Sequence, residues 1–467
     1  MSDTRLRLLT LNCWGLKYVS KHRKERVAAI ADALAASDHD VITLQELWVF
    51  SDFEYVRAAV SKRLPYAKFF YRNIRGGSGA LGAGLVIFSR FPILAATIHA
   101  YSLNGSPIDV IAGDWFVGKA AASILFAHPI LGQVQVYNTH LFAKGGDEGA
   151  EYQKAHRLVN AWEFAKLARQ SAELGRYVIA AGDFNSVPTS LPMSIIRDHA
   201  GLTDAWVVTH PDTPDPSLTS PPSPQDAIRI HGVTADSPLN SYSAGKPLEP
   251  LARKFQGKRL DYVFFRQPSS PPASSRAPIL RPVDTRVVFT ERVPGYDFSY
   301  SDHFGLEATF EIEVPQGGDA ADTANGPASP QPRRDASYIL PSQANPQPPA
   351  AKDISPESIT QTLMSLTARY RYAQAQGRNQ LLIFIICIAL LLAIIVGSAW
   401  FPRSWINPIF MLVTIVLAWL ATTMLYIGFV YGNWEVNALT NIIEELELYR
   451  GMLEEQRRSQ GSSPRSP

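Results

Sequence analysis

Five places in the chain set acidic, amide or imidazole side chains just beyond short apolar runs. Asn12 stands in Leu11-Asn12-Cys13-Trp14 and Glu46 in Leu44-Gln45-Glu46-Leu47; Asn138 and His140 stand in Tyr137-Asn138-Thr139-His140-Leu141. Asp183 and Asn185 stand in Gly182-Asp183-Phe184-Asn185-Ser186, and Asp302 and His303 in Tyr300-Ser301-Asp302-His303-Phe304. A single Asp or Asn at such a point is an ordinary turn former. Joint recurrence at strand ends is what a layered fold needs to gather distant groups into one cleft. Glu46 with nearby amide oxygens suits a hard divalent cation such as Mg²⁺, which takes oxygen ligands and leaves positions for phosphate oxygens. His140 and His303 offer an acidic or electrophilic group and a base near neutral pH. Asp261, in Lys258-Arg259-Leu260-Asp261-Tyr262-Val263, can orient an imidazole and fix its tautomer. Asn138/His140 and Asp183/Asn185 are each two residues apart, so strand geometry aims each pair at one face.

The elements that must position these groups lie in residues 1–314, where short apolar runs alternate with helical patterns, as in an α/β domain. Strands are expected at 6–11, 41–44, 84–88, 123–126, 134–138, 178–181, 262–265 and 306–312, with covering helices at 24–36 and 152–174. Residues 209–223 read as a Pro/Ser-rich insertion, and 315–354 as a flexible linker that lets the domain reorient. Ser355 and Pro356 then start a juxtamembrane helix over 355–380. No charge occurs from Asn379 to Pro402 or from Ser404 to Trp434, which predicts transmembrane helices at 381–400 and 409–431. An amphipathic helix over 435–458 follows, with Leu439, Ile442, Leu446, Tyr449 and Leu453 at 3-4-3-4 spacing; it is either a solvated helix or a helix–helix seam, such as that of a homodimer. Arginines outside the spans, Arg369, Arg371 and Arg378 before and Arg450, Arg457 and Arg458 after, against Arg403 in the turn, put both ends and the α/β domain in the cytosol.

Composition narrows the classes. With 44 Lys+Arg against 42 Asp+Glu, the chain lacks the basic footprint of a nucleic-acid binder, and no nucleic acid is expected. Cys13 and Cys387 are its only cysteines, too few for a disulfide framework or a Cys-based zinc site. Residues 5–11 are too short and too charged for a signal peptide.

The ordered set Asn12, Gln45-Glu46, Asn138-Thr139-His140, Gly182-Asp183-Phe184-Asn185, Arg259-Leu260-Asp261-Tyr262 and Ser301-Asp302-His303 resembles the endonuclease/exonuclease/phosphatase superfamily. Tyr101 to Gly105, the segment Gly113 to Lys119 and the paired spans are similar to neutral sphingomyelinases and fungal inositol phosphosphingolipid phospholipases C. Gly113 to Lys119 also spells G-x-x-x-x-G-K, but Ala120 follows where a phosphate-binding loop needs Ser or Thr.

The resemblance implies a DNase I-like four-layered α/β sandwich followed by a C-terminal transmembrane hairpin. It implies Mg²⁺ held by Glu46 and Asn12, and His303 as base, with His140, Asp183, Asp261 and Asp302 in the catalytic set and the two last orienting imidazoles. Asn185, Asn138, Lys119 and Asp114 fall on the substrate side, the last two as a pair beside the active site. It implies a membrane protein of the endoplasmic reticulum or mitochondria that hydrolyses a sphingophospholipid to ceramide and a phosphorylated headgroup, with an anionic phospholipid as activator. Inositol phosphate is the preferred headgroup and phosphocholine stays open. Trp48, Phe50, Trp115 and Phe116 are candidates to enter the bilayer surface. A nuclease or phosphoinositide phosphatase of the same superfamily, or a membrane-shaping hairpin with an inert domain, are the competing readings.

Overall fold

The computed structural model describes residues 3–71, 80–109, 113–144, 149, 151–214, 221–269, 277–314 and 353–461. Its strands are β1 (Arg5–Asn12), β2 (Val41–Gln45), β3 (Tyr66–Phe70), β4 (Leu85–Ser89), β5 (Ile93–Ala100), β6 (Ala120–His128), β7 (Gly132–His140), β8 (Tyr177–Asp183), β9 (Thr203–Asp204), β10 (Asp261–Arg266), β11 (Ile279–Val288) and β12 (Gly305–Glu313). They form two six-stranded sheets, ordered β11-β12-β1-β2-β4-β3 and β5-β6-β7-β8-β10-β9. Both are mixed: β1 runs parallel to β2 and antiparallel to β12, as β8 does to β7 and β10.

The sheets face each other through a dry layer in which Leu6, Leu8, Ile87 and Phe310 of one meet Ile124, Val136, Ile179 and Val263 of the other. On the outer face of the first sheet lie α1 (Arg23–Ala36) and α2 (Phe50–Val60), whose Val27, Ile30, Phe53 and Val56 cover Leu9, Leu11, Ile42 and Leu44. On the second lie α3 (Glu151–Glu173) and α4 (Leu191–Ala200), which set Trp162, Phe164 and Ile196 on Tyr137, Val178 and Phe264. Helix, sheet, sheet and helix make the four layers expected. Three short helices, α5 (Ala205–Thr209), α6 (Pro224–His231) and α7 (Pro250–Phe255), connect β9 to β10. The expected insertion overlaps α5 at residue 209, and its residues 215–220 lie outside the described residues.

The C-terminal region is built from longer pieces than expected. The juxtamembrane helix and first span are one helix, α8 (Pro356–Ala399), started by Ser355, whose hydroxyl accepts from Ser358 N. α9 (Asn407–Leu425) continues through a π-helical turn at Tyr426–Tyr431 into α10 (Gly432–Gly461). Both helical stretches are long and apolar enough to cross a membrane, and only 6% and 11% of their apolar windows are buried within the chain. A buried soluble hairpin would show the opposite. Near the π turn, Gly377 and Gly428 let the helix backbones approach so closely that a Cβ on Gly428 would stand 3.0 Å from Gly377 O.

The α/β domain and the C-terminal helices share one core. Residues 315–352 lie outside the described residues, but beyond them Ile359, Leu363 and Leu366 of α8 and Leu439, Ile442, Leu446 and Leu453 of α10 join Trp162 and Met193 in one core. The 3-4-3-4 seam is therefore filled from within the chain. His156 Nε2 of α3 lies 2.7 Å from Glu435 Oε1 of α10, whose carboxylate also takes the Arg369 guanidinium of α8. A buried ion network that joins three helices is costly to break, and the domain is held against its helical stalk.

Candidate active site

Strand register carries the chemistry to one rim. Asn12 ends β1 opposite Gln45, the last residue of β2, and Glu46 follows. In the other sheet His140 ends β7 opposite Asp183, the last residue of β8, and Asp183 faces Asp261, the first residue of antiparallel β10. Gly182 allows this closeness: at φ 142 its Cα lies so near Thr139 that a Cβ would stand 2.1 Å from Thr139 O. Glu46 (φ 56) and Asn185 (φ 47) hold the left-handed conformation, rare for such residues and concentrated at functional sites.

Asn12 ties the two sheets together at this rim. Its amide nitrogen donates to Asp183 Oδ2 at 3.0 Å and to Glu46 Oε1 at 3.3 Å, while its oxygen accepts from Trp14 N. Asn12 thus orients two carboxylates, and its oxygen, which holds one hydrogen bond from Trp14, keeps a second lone pair on the side expected to face the metal. Glu46 is the partly open member, its side chain 21% exposed. His303 Nδ1 lies 2.8 Å from Asp261 Oδ2 and its Nε2 4.0 Å from Asp183 Oδ2. Burial opposes charge on this imidazole, but Asp261, Asp183 and Asp302 hold its pKa well above the ordinary range. Asp302, expected to orient an imidazole, makes no hydrogen bond to either ring among the described residues; its carboxylate accepts from the Ser301 hydroxyl.

On the other side Lys119 Nζ lies 2.7 Å from His140 Nε2 and 3.5 Å from Asp114 Oδ1. The expected pair thus forms, and Lys119 enters the site itself. Burial first, then the Lys119 ammonium and His303, push His140 well below the ordinary imidazole range. The ring is neutral and Lys119 carries the cation. Asn185 donates twice, from its side-chain amide to Leu141 O and from its backbone N–H to Asp183 Oδ1. Asn138, expected on the substrate side, is fully buried: it donates to Leu44 O and Val86 O and accepts from Gln45 Nε2, pegging sheet to sheet. Trp48 is likewise core, packed against Gly84, and Trp115 packs on Met424, Ile427 and Tyr431 of the stalk.

The donor set fits a hard divalent cation. Burial, reinforced by Glu46, raises Asp302 to about 6, and burial also raises Asp183; a cation held beside Glu46 would favour the ionised form of both. Asp183, Asp261 and His303 also lie within 4.8 Å of one another, but the Asp261–His303 hydrogen bond marks them as an acid–base relay.

Two buried residues that the motif reading passed over hold this arrangement. Arg26 of α1 donates to the carbonyls of Cys13, Trp14 and Tyr300, fixing the loops that carry Asn12 and His303. The signal was present: an arginine on the apolar face of α1 beside Val27 and Ile30. Thr234 accepts at its hydroxyl from Leu260 N and Asp261 N, and its carbonyl takes Phe304 N. No sequence signal marks it.

Residues 9–303 match the Endonuclease/Exonuclease/phosphatase family. The chain belongs to that family. It is 35% identical over 95% of its length to the inositol phosphosphingolipids phospholipase C of Schizosaccharomyces pombe, covering 93% of that protein. It is 32% identical to the Saccharomyces cerevisiae protein of the same name, over 94% of this chain and 89% of that one. To human sphingomyelin phosphodiesterase 2 it is 31% identical over 70% of each chain. As a member of the family the chain is a phosphoric diester hydrolase, and the fungal matches are long enough to take in α8 to α10.

Proposed function

We propose that the chain is a Mg²⁺-dependent, membrane-anchored phospholipase C that cleaves inositol phosphosphingolipids to ceramide and a phosphorylated headgroup. The observation that carries this reading is the convergence of Glu46, Asp183 and the Asp261–His303 pair on one rim, on a domain docked to two apolar helices. Bound beside Glu46, Mg²⁺ supplies charge neutralisation at the phosphate oxygens. With the acidic field that raises the His303 pKa offset by a cation at these carboxylates, His303, oriented by Asp261, takes a proton from the attacking water. Asn185 binds the phosphate. Lys119, held by His140 and Asp114, faces the phosphate with the cation that neutral His140 lacks. Asn12 keeps Glu46 and Asp183 in register.

The inositol reading over phosphocholine is supported by similarity to the fungal phospholipases C through the helical stalk. Both ends of the chain lie on the cytosolic side, where the α/β domain meets its lipid at the membrane surface, and confinement there raises the local substrate concentration. The test is product analysis: full-length protein in detergent, given inositol phosphoceramide and Mg²⁺, releases ceramide and inositol phosphate. Release of ceramide phosphate and free inositol, or turnover unaffected by chelator, would overturn it. Nicking of plasmid DNA at a comparable rate would favour the nuclease reading.

A further inference from the structure

A cavity of about 350 Å³ lies between α8 and the loop after β5, and another of about 320 Å³ opens at His303. The second is lined by Asn185, Asp302 and His303 on one side, but not by Glu46, Asn12, His140 or Lys119. It is therefore space beside the phosphate seat. In-line displacement puts the attacking water opposite the leaving oxygen, so space beside the base His303 lies away from the leaving group and is open to the equatorial substituent that stays on phosphorus. Under the phospholipase C reading, on which this inference rests, that substituent is the headgroup.

The far wall is polar and rigidly placed. Ala235 bridges both to Lys258, three residues before Asp261, and to His303. Asp236 comes next and is held at φ 54, a conformation that Asp and Asn tolerate and most residues do not. Its carboxylate lies 3.4 Å from Lys258 Nζ. Lys246 and Ser243 complete the wall; Lys246 is exposed and makes no ion pair among the described residues.

We infer that Asp236, Ser243, Lys246 and Lys258 form the headgroup subsite and select a polyhydroxylated ring over a quaternary ammonium. Both donors and acceptors line the cavity, as a ring of hydroxyls requires: the ammonium groups and the Ser243 hydroxyl donate, and the Asp236 carboxylate accepts. A choline headgroup needs carboxylates free of partners or an aromatic cage. Here the Lys246 ammonium is free of ion pairs among the described residues, the Asp236 carboxylate is matched by Lys258, which Glu249 also pairs, and the Tyr242 ring in the lining is engaged by Trp14 and Arg26.

The experiment compares kcat/KM for inositol phosphoceramide and sphingomyelin of the same ceramide, in mixed micelles with Mg²⁺, for the full-length wild type, Lys246→Glu and Asp236→Asn. Asn keeps the left-handed backbone and Lys246 is exposed, and a ratio of two substrates cancels any loss of folded enzyme. The inositol-to-choline ratio should fall roughly tenfold in Lys246→Glu and severalfold in Asp236→Asn. An unchanged ratio in both variants, with wild-type turnover intact, overturns the subsite. Wild-type release of headgroup phosphate from neither lipid overturns the phospholipase reading and the subsite with it.

Discussion

Lys119 Nζ lies 2.7 Å from His140 Nε2 in a fully enclosed position, with Asp114 Oδ1 3.5 Å from the same ammonium. A buried cation beside a neutral imidazole makes one unit: the lysine suppresses protonation of the ring, and ring and carboxylate fix the lysine. Lys119→Met should lower kcat by about 10²-fold or more, as loss of a positioned charge in a dry site does. Lys119→Arg should fail to rescue, because the guanidinium fork does not fit a point-charge site. Steady-state rates of the two variants check this, and activity restored by arginine would contradict it.

Thr234 holds Asp261 indirectly. Thr234→Val keeps the shape and removes the acceptor of two backbone N–H groups, which costs about 1–3 kcal/mol when they are buried. As Asp261 slackens, His303 loses the partner that most raises its pKa. The acidic limb of the rate profile should then move to lower pH while kcat falls roughly tenfold. Thr234→Ser should restore both. A Val variant with an unmoved profile would reduce Thr234 to a packing role.

His199 stacks on Trp162 with ring centroids 4.3 Å apart and meets Tyr449 of α10 edge-on at 5.1 Å. Burial, then Arg169, Lys166 and Arg266, lower its pKa to about 4 from 6.5. Between those values the unfolded chain binds a proton that the folded one refuses. Stability is therefore complete above the unfolded value and declines as pH falls toward 4, by at most about 1.4 kcal/mol per pH unit. His128, similarly lowered to about 4 by burial, adds to the slope. Tm in detergent should drop between about pH 7 and pH 5, and His199→Phe should flatten part of that drop. An identical slope in the variant would contradict the assignment.

Legibility in the sequence followed burial. The eight strands read from apolar runs are β1, β2, β4, β6, β7, β8, β10 and β12, every one interior to its sheet. The missed strands β3, β5, β9 and β11 are the four sheet edges. An edge strand carries a weaker pattern: most of β5 faces solvent, and β11 contains Pro282 and a register shift before Asp284. The rim residues were legible because each motif sits at the end of a strong strand. The hydrogen bonds of Asn12 and Asn138 across the sheets were not, since an amide at a strand end can reach a substrate or a neighbouring strand, and its partners depend on the register of the facing sheet. The stalk was legible as long apolar helices, but its docking was not, because α8 and α10 pack on each other and then on α3 and α4, more than 150 residues earlier in the chain.

In the proposed reaction water attacks phosphorus and ceramide leaves, with His303 as base. Hydrolysis of inositol phosphoceramide in heavy-oxygen water reads this directly by mass spectrometry of both products. The account predicts one heavy oxygen in the inositol phosphate and none in ceramide, with the rate lowered by about 10²-fold or more in His303→Ala. Heavy oxygen in the ceramide hydroxyl, or full-rate release by His303→Ala, would contradict it.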